Sequence, residues 1–108
     1  MQVPDAQGGR WGVSAQVYRC IREDLNGAIP AMGAIAKQLG LSERSLQRRL
    51  GDEGTSYREL VDQVRRDLAQ LFLSQGVARD EVARRLAYAE TASFTRSLLR
   101  WRKNSPPR

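Results

Sequence analysis

From Ser14 onward, apolar residues recur at helical spacing (Val17, Tyr18, Ile21, Leu25) until Asn26-Gly27 breaks the run. The pattern predicts a first helix with Ser14 as its N-cap. Pro30 is expected to open a short second helix whose apolar positions Met32, Ile35, Ala36 and Leu39 share a face. Gly40 should stop it, where a tight turn needs a left-handed residue. Ser42 can cap a third helix, with Leu46 and Leu50 facing inward and Arg44, Gln47, Arg48 and Gly51 along the outer face. Helix, tight glycine turn, helix is the helix-turn-helix pattern.

Ser56-Tyr57-Arg58-Glu59 has capping-box spacing, and Tyr57, Leu60, Val61, Val64, Leu68, Leu71 and Phe72 continue behind it as one stripe. The helix this predicts, over 56–73, would be roughly 27 Å long at about 1.5 Å per residue, and Gly76 marks its end. Residues 80–86 and 91–101 then repeat the arrangement of short helix, turn and longer helix, with Phe94, Leu98 and Trp101 as the buried stripe of the second member. Asn104-Ser105-Pro106-Pro107 cannot continue a helix. Residues 1–13, with Pro4, Gly8, Gly9 and Gly12 and no periodicity, read as a linker or tail. The expected fold is all-α: two helix-turn-helix subdomains (14–55 and 76–108) joined by a long central helix (56–75), with about seven helices in all.

Composition narrows the chemistry. The chain has 108 residues, room for one compact domain or two very small lobes sharing a long element. Eighteen Lys and Arg against twelve Asp and Glu give a net charge of +6, which points to a polyanionic partner. Only Lys37 and Lys103 are lysines. The other cations are Arg, whose planar fork matches phosphates and guanine edges, although a GC-rich coding bias would produce the same skew. There is no His and Cys20 is the sole Cys, which removes His-based catalysis and the familiar zinc sites, and Cys20 itself reads as a small core residue. No phosphate-binding loop, nucleophile elbow or metal spacing occurs, and the acid pairs Asp62/Asp67 and Asp80/Glu81 sit on exposed faces or in first turns beside Arg. An enzyme is not expected, nor a cofactor. The apolar stretches are too short to span a bilayer and no signal-peptide core is present, so a cytoplasmic location is expected.

Self-comparison ties these elements to a function. At an offset of 47, Ile35, Ala36, Lys37, Leu39, Leu41 and Glu43 match Val82, Ala83, Arg84, Leu86, Tyr88 and Glu90. After one inserted residue, Leu46, Arg48 and Leu50 fall on Phe94, Arg96 and Leu98. The apolar matches need only a repeated packing solution. Arg48 and Arg96, however, are expected on outward faces of equivalent helices, beside Gln47 and Thr95. Arg to guanine and Gln to adenine are the common major-groove pairings.

The stretches IAKQLGLSERSLQRRLGDEGTSYRELVDQVRRDLA and EVARRLAYAETASFTRSLLRWRKNSP resemble the C-terminal DNA-binding region of the AraC/XylS family of bacterial transcription regulators, over nearly everything from Val17 to Pro106. The resemblance implies two helix-turn-helix subdomains on a long helix, binding to double-stranded promoter DNA, and regulation of transcription as an activator. Carried over by position, it implies base reading by Arg44, Gln47 and Arg48 on the first recognition helix and by Thr91, Thr95 and Arg96 on the second, beside Ala92. It also implies an N-terminal sensing or dimerising domain that this chain lacks. Where the family usually has Gly-Phe-Ser before the second recognition helix, this chain has Ala87-Tyr88-Ala89, losing the permissive turn residue and the capping hydroxyl. The cost would be about 1 to 2 kcal/mol if the backbone keeps its course, and Thr91 is the alternative cap.

A phosphate clamp is expected from Ser42 and from Arg49, Arg84, Arg85, Arg100, Arg102 and Lys103. If about six phosphates are neutralised, log affinity should fall with log salt at a slope near about −5. Grooves one turn apart are about 34 Å distant, more than the linker helix spans, so double insertion would bend the DNA or leave one unit partly engaged. The competing reading is a protein-interaction module that docks on RNA polymerase, with DNA binding secondary. Leu99, expected to be exposed where the family often has a polar residue, is the feature that favours it.

Overall fold

Six helices make up the regular structure of residues 12–104, the part of the chain that the computed structural model describes. They are α1 (Gly12–Asp24), α2 (Met32–Gln38), α3 (Glu43–Asp52), α4 (Tyr57–Ser74), α5 (Arg79–Arg85) and α6 (Thr91–Asn104), one fewer than expected, with no strand among the described residues. The expectations for 1–11 and for the Ser-Pro-Pro tail lie outside that range. The described residues divide into two compact units: one takes residues 12–24 with Pro30–Val64, the other Leu25–Ile29 with residues 65–104. The division falls inside α4, so this helix gives its first half to one core and its second half to the other.

In the first unit, Val17, Ile21, Ile35, Leu46 and Val64 are completely buried. Helix α1 begins two residues before Ser14, the expected cap. Its cap comes from far along the chain: the Glu53 carboxylate accepts the N–H groups of Val13 (2.8 Å) and Ser14 (2.9 Å). Gly12 permits this approach, because it has φ +63° and a Cβ there would lie 2.6 Å from a Glu53 oxygen. Burial pushes the Glu53 carboxyl up, but the Ser14 hydroxyl, the Ser14 and Val13 N–H groups and the Arg49 charge together hold it below its ordinary value.

Pro30 does not open α2. Ala31 is the N-cap, and the Pro30 carbonyl accepts the Tyr57 hydroxyl at 2.6 Å, which pins the approach to α2 against the start of α4. Burial, with the Asp24 and Cys20 charges, pushes the Tyr57 phenol up to about 12, so it remains a donor. Ser42 caps α3 as expected, its Oγ accepting the Ser45 N–H at 3.1 Å. The capping box at α4 is half made: Ser56 Oγ accepts the Glu59 N–H (3.2 Å), while the Thr55 hydroxyl takes the Glu59 carboxylate (3.1 Å).

In the second unit, Val82, Leu86 and Phe94 are completely buried, with Leu25, Leu68, Ala69, Ala83 and Trp101 around them. Leu25 lies one residue past α1, and the Gly27 N–H beyond it donates to the Arg85 carbonyl at 2.9 Å. The expected stripe of α4 holds as far as Leu68 and then shifts: Ala69 is buried, Leu71 is exposed and Phe72 is half-buried, with the Arg85 guanidinium 5.1 Å from its ring.

Candidate nucleic-acid interface

The turn after α2 and the turn after α5 are made the same way. In the first, the Leu41 N–H donates to Ala36 O (2.9 Å) and the Gly40 N–H to Lys37 O (3.1 Å). In the second, the Tyr88 N–H donates to Ala83 O (2.9 Å) and the Ala87 N–H to Arg84 O (3.1 Å). Each is the paired-bond helix end that requires a left-handed residue just past the cap. Gly40 has φ +72° and Ala87 has φ +69°, so the backbone keeps its course although the glycine is gone. The inserted residue of the repeat falls after this point. Helix α3 begins three residues past Gly40 and α6 four past Ala87, which makes Thr91 the first residue of the helix rather than its cap.

Helix α3 presents Arg44, Gln47 and Arg48 as an exposed i, i+3, i+4 stripe, while Leu46 and Leu50 hold the opposite face in the core. On α6, Arg96 is exposed, and its Nη2 donates to Ser93 Oγ at 3.1 Å, which orients the guanidinium along the helix. Thr91 and Thr95 are half-buried and Ala92 is exposed, so this face carries fewer free polar groups. Arg49 and Ser97, equivalent by the repeat, diverge: Arg49 is exposed, whereas Ser97 is buried and accepts the Tyr88 hydroxyl at 3.0 Å.

The expected phosphate contacts differ in availability. Ser42 Oγ accepts the helix N–H and keeps its own proton to donate. Arg49, Arg102 and Lys103 are exposed; Arg100 is exposed with its guanidinium 6.0 Å from the Trp101 ring. Arg84 and Arg85 both bond the Glu81 carboxylate, and these bonds hold Glu81 down at about 2. The pair therefore shares one counter-charge, and Arg85 is also laid over Phe72.

A helix-turn-helix domain family model matches residues 35–108, covering both turns and both outward helices. The chain belongs to the AraC-type helix-turn-helix transcription regulators. It is 41% identical to the regulator VqsM of Pseudomonas aeruginosa over 73 residues, which are 67% of this chain and 22% of that protein. It is 41% identical to the regulator VirS of Mycobacterium tuberculosis over 69 residues, 63% of this chain and 20% of that one. The crystal structure of the transcriptional regulator CdpR from Pseudomonas aeruginosa superposes with a TM-score of 0.74 at 39% identity, over 93% of this chain and 31% of that one. This AraC-type chain thus spans less than a third of the length of these relatives.

Two residues that support the helix ends of this AraC-type chain carry no local sequence signal. Arg65 on α4 donates from Nε to the Leu86 carbonyl (2.8 Å) and from Nη2 to the Ala87 carbonyl (3.0 Å), with its guanidinium 4.0 Å from the Tyr88 ring centre. It holds the strained second turn from outside, through contacts more than twenty positions away. Glu53 acts across about forty positions in the same manner on α1.

Proposed function

We propose that the chain binds promoter DNA sequence-specifically, with α3 and α6 in adjacent major grooves, and regulates transcription as an activator in the cytoplasm. The observation that carries this reading is the repeated turn, which puts Gln47-Arg48 and Thr95-Arg96 at equivalent places on two helices. Arg44, Gln47 and Arg48 read bases in the first groove; Thr91, Thr95 and Arg96 face the second. Ser42, Arg49, Arg84, Arg85, Arg100, Arg102 and Lys103 bear on phosphates, Arg84 and Arg85 least because Glu81 offsets them. The second reader contributes affinity and spacing more than base choice, since Arg96 is exposed whereas Thr91 and Thr95 are half-buried. An upstream sensing region, for which the greater length of the relatives leaves room, would control the activity.

Selection from randomised duplexes, read by sequencing, tests the proposal. The expected result is a two-part motif with half-sites about 10 to 10.5 base pairs apart, the better-defined half protected by α3. A single-part motif, or no enrichment over random sequence, would overturn it. Activation is tested by a reporter placed under the selected site, where repression would reverse that part of the reading.

A further inference from the structure

The second unit carries a groove of about 550 Å³ between the later half of α4, the start of α5 and α6. Leu73, Leu98, Leu99 and Trp101 supply its apolar wall, and Arg79 and Arg102 are exposed cations on its lining. Leu99 is 56% exposed, more than any other large hydrophobic side chain among the described residues.

The repeat supplies an internal control for these features. The first unit has a groove of about 470 Å³ that shares one wall with it by the repeat, Met32, Gln47 and Leu50 corresponding to Arg79, Thr95 and Leu98, while its other wall is Thr55, Ser56, Tyr57 and Arg58. The counterpart of Leu99 there is Gly51, which has no side chain, and the counterpart of Arg79 is the uncharged Met32. The first unit makes the same turn and buries its core without an apolar knob or a cation at these places. Neither Leu99 nor Arg79 is therefore a requirement of the helix-turn-helix fold.

We propose that this groove docks an acidic amphipathic helix of a partner protein, with its apolar side chains against Leu98 and Leu99 and its carboxylates on Arg79. Charge complementarity selects this occupant. The lining is cationic, so an acidic segment matches it, while a nucleic-acid backbone would satisfy the arginines and leave Leu99 in water. Helices seated in apolar grooves present anchors at i, i+3 or i+4 and i+7, and Leu98, Leu99 and Leu73 all line this groove to receive them. The docking reading does not depend on DNA binding, and its test is run without DNA.

The probe is a fluorescein-labelled designed helix of about 18 residues with Leu on one face and Glu flanking it. Two controls replace every Leu by Ser or every Glu by Lys. Fluorescence anisotropy with the 108-residue chain should show saturable binding of the acidic, leucine-bearing helix alone. Leu99→Ser and Arg79→Ser should each weaken it by about tenfold or more, whereas Leu71→Ser, an exposed leucine outside the groove, should leave it unchanged. Thermal melts of the variants establish that they remain folded. Equal binding by the Ser-substituted helix, undiminished binding by Leu99→Ser, or no saturable binding would each overturn the proposal. A concentration-dependent dimer, seen by light scattering and lost in Leu99→Ser, would assign the groove to a second copy of this chain and would also overturn it.

Discussion

Gly40 and Ala87 occupy the same place in two successive turns, with φ of +72° and +69° and hydrogen bonds of the same lengths, yet they reach that conformation by different routes. In the first unit the residue itself allows it, because glycine has no Cβ to clash. In the second, an alanine is held where it costs about 1 to 2 kcal/mol relative to glycine. Two charge-assisted hydrogen bonds from Arg65, each typically about 1.5 to 3 kcal/mol, are large enough to offset that. The first turn is thus encoded in its own few residues. The second depends on α4, and its geometry is only as secure as the Arg65 side chain.

The comparison is most directly broken at Arg65. Arg65→Ala should destabilise the second unit by about 3 kcal/mol. Amide exchange should then speed up in α5 and α6 while α2 and α3 keep their protection. Uniform loss across both units would show that the clamp is not specific to the second turn. Arg65→Lys should recover only part of this, since a point-like ammonium lacks the planar fork that spans both carbonyls while lying over Tyr88.

The proposed base-reading residues come next. Arg48→Ala should weaken binding to the selected duplex by about 1 to 3 kcal/mol and relax base preference at one position. Arg96→Ala should weaken specific and random duplexes more nearly alike. Equal loss on specific and random DNA for Arg48→Ala would remove its proposed base-reading role, and a sharp change of preference for Arg96→Ala would make the two units equals.

A reciprocal pair sharpens the account of the turns. Gly40→Ala should lower the unfolding free energy by about 1 to 2 kcal/mol. Ala87→Gly should change it in the opposite direction by about 0.5 to 1 kcal/mol, the relief of strain being partly offset by glycine's greater freedom when unfolded. Denaturant titration measures both.

The smallest effect is expected at Glu53. Its carboxyl is held below the ordinary 4.5, so the stability it lends to α1 is present above that pH and is lost as pH falls through the lowered value. The Val13 and Ser14 amide resonances should move together in that acid range and stay still in Glu53→Gln.

Much of this architecture could be read from the chain. The i, i+3, i+4 spacing of Leu60, Val61, Val64 and Leu68 located the central helix to within a residue at each end. Gly40 with Ser42 marked the first turn, because both act on their immediate neighbours. The outward faces of α3 and α6 followed from the buried stripes opposite them. What could not be read acts at long range. The cap of α1 comes from Glu53, the entry to α2 is fixed by Tyr57, and Arg65 supports a turn it is distant from in sequence. Spacing puts Leu71 in the stripe, but α4 changes the core it serves near Val64, and a single periodicity does not carry across that change.

The fork of Arg65 also bears on how such a unit would be recognised in other chains. Once a side chain from the preceding helix grips the carbonyls of the turn, the left-handed position is released from glycine, and a duplicated copy is free to drift there. A search keyed to the turn glycine would pass over such a copy. One that asks instead for an arginine on the preceding helix, with an aromatic residue beside the turn for it to lie against, would find it.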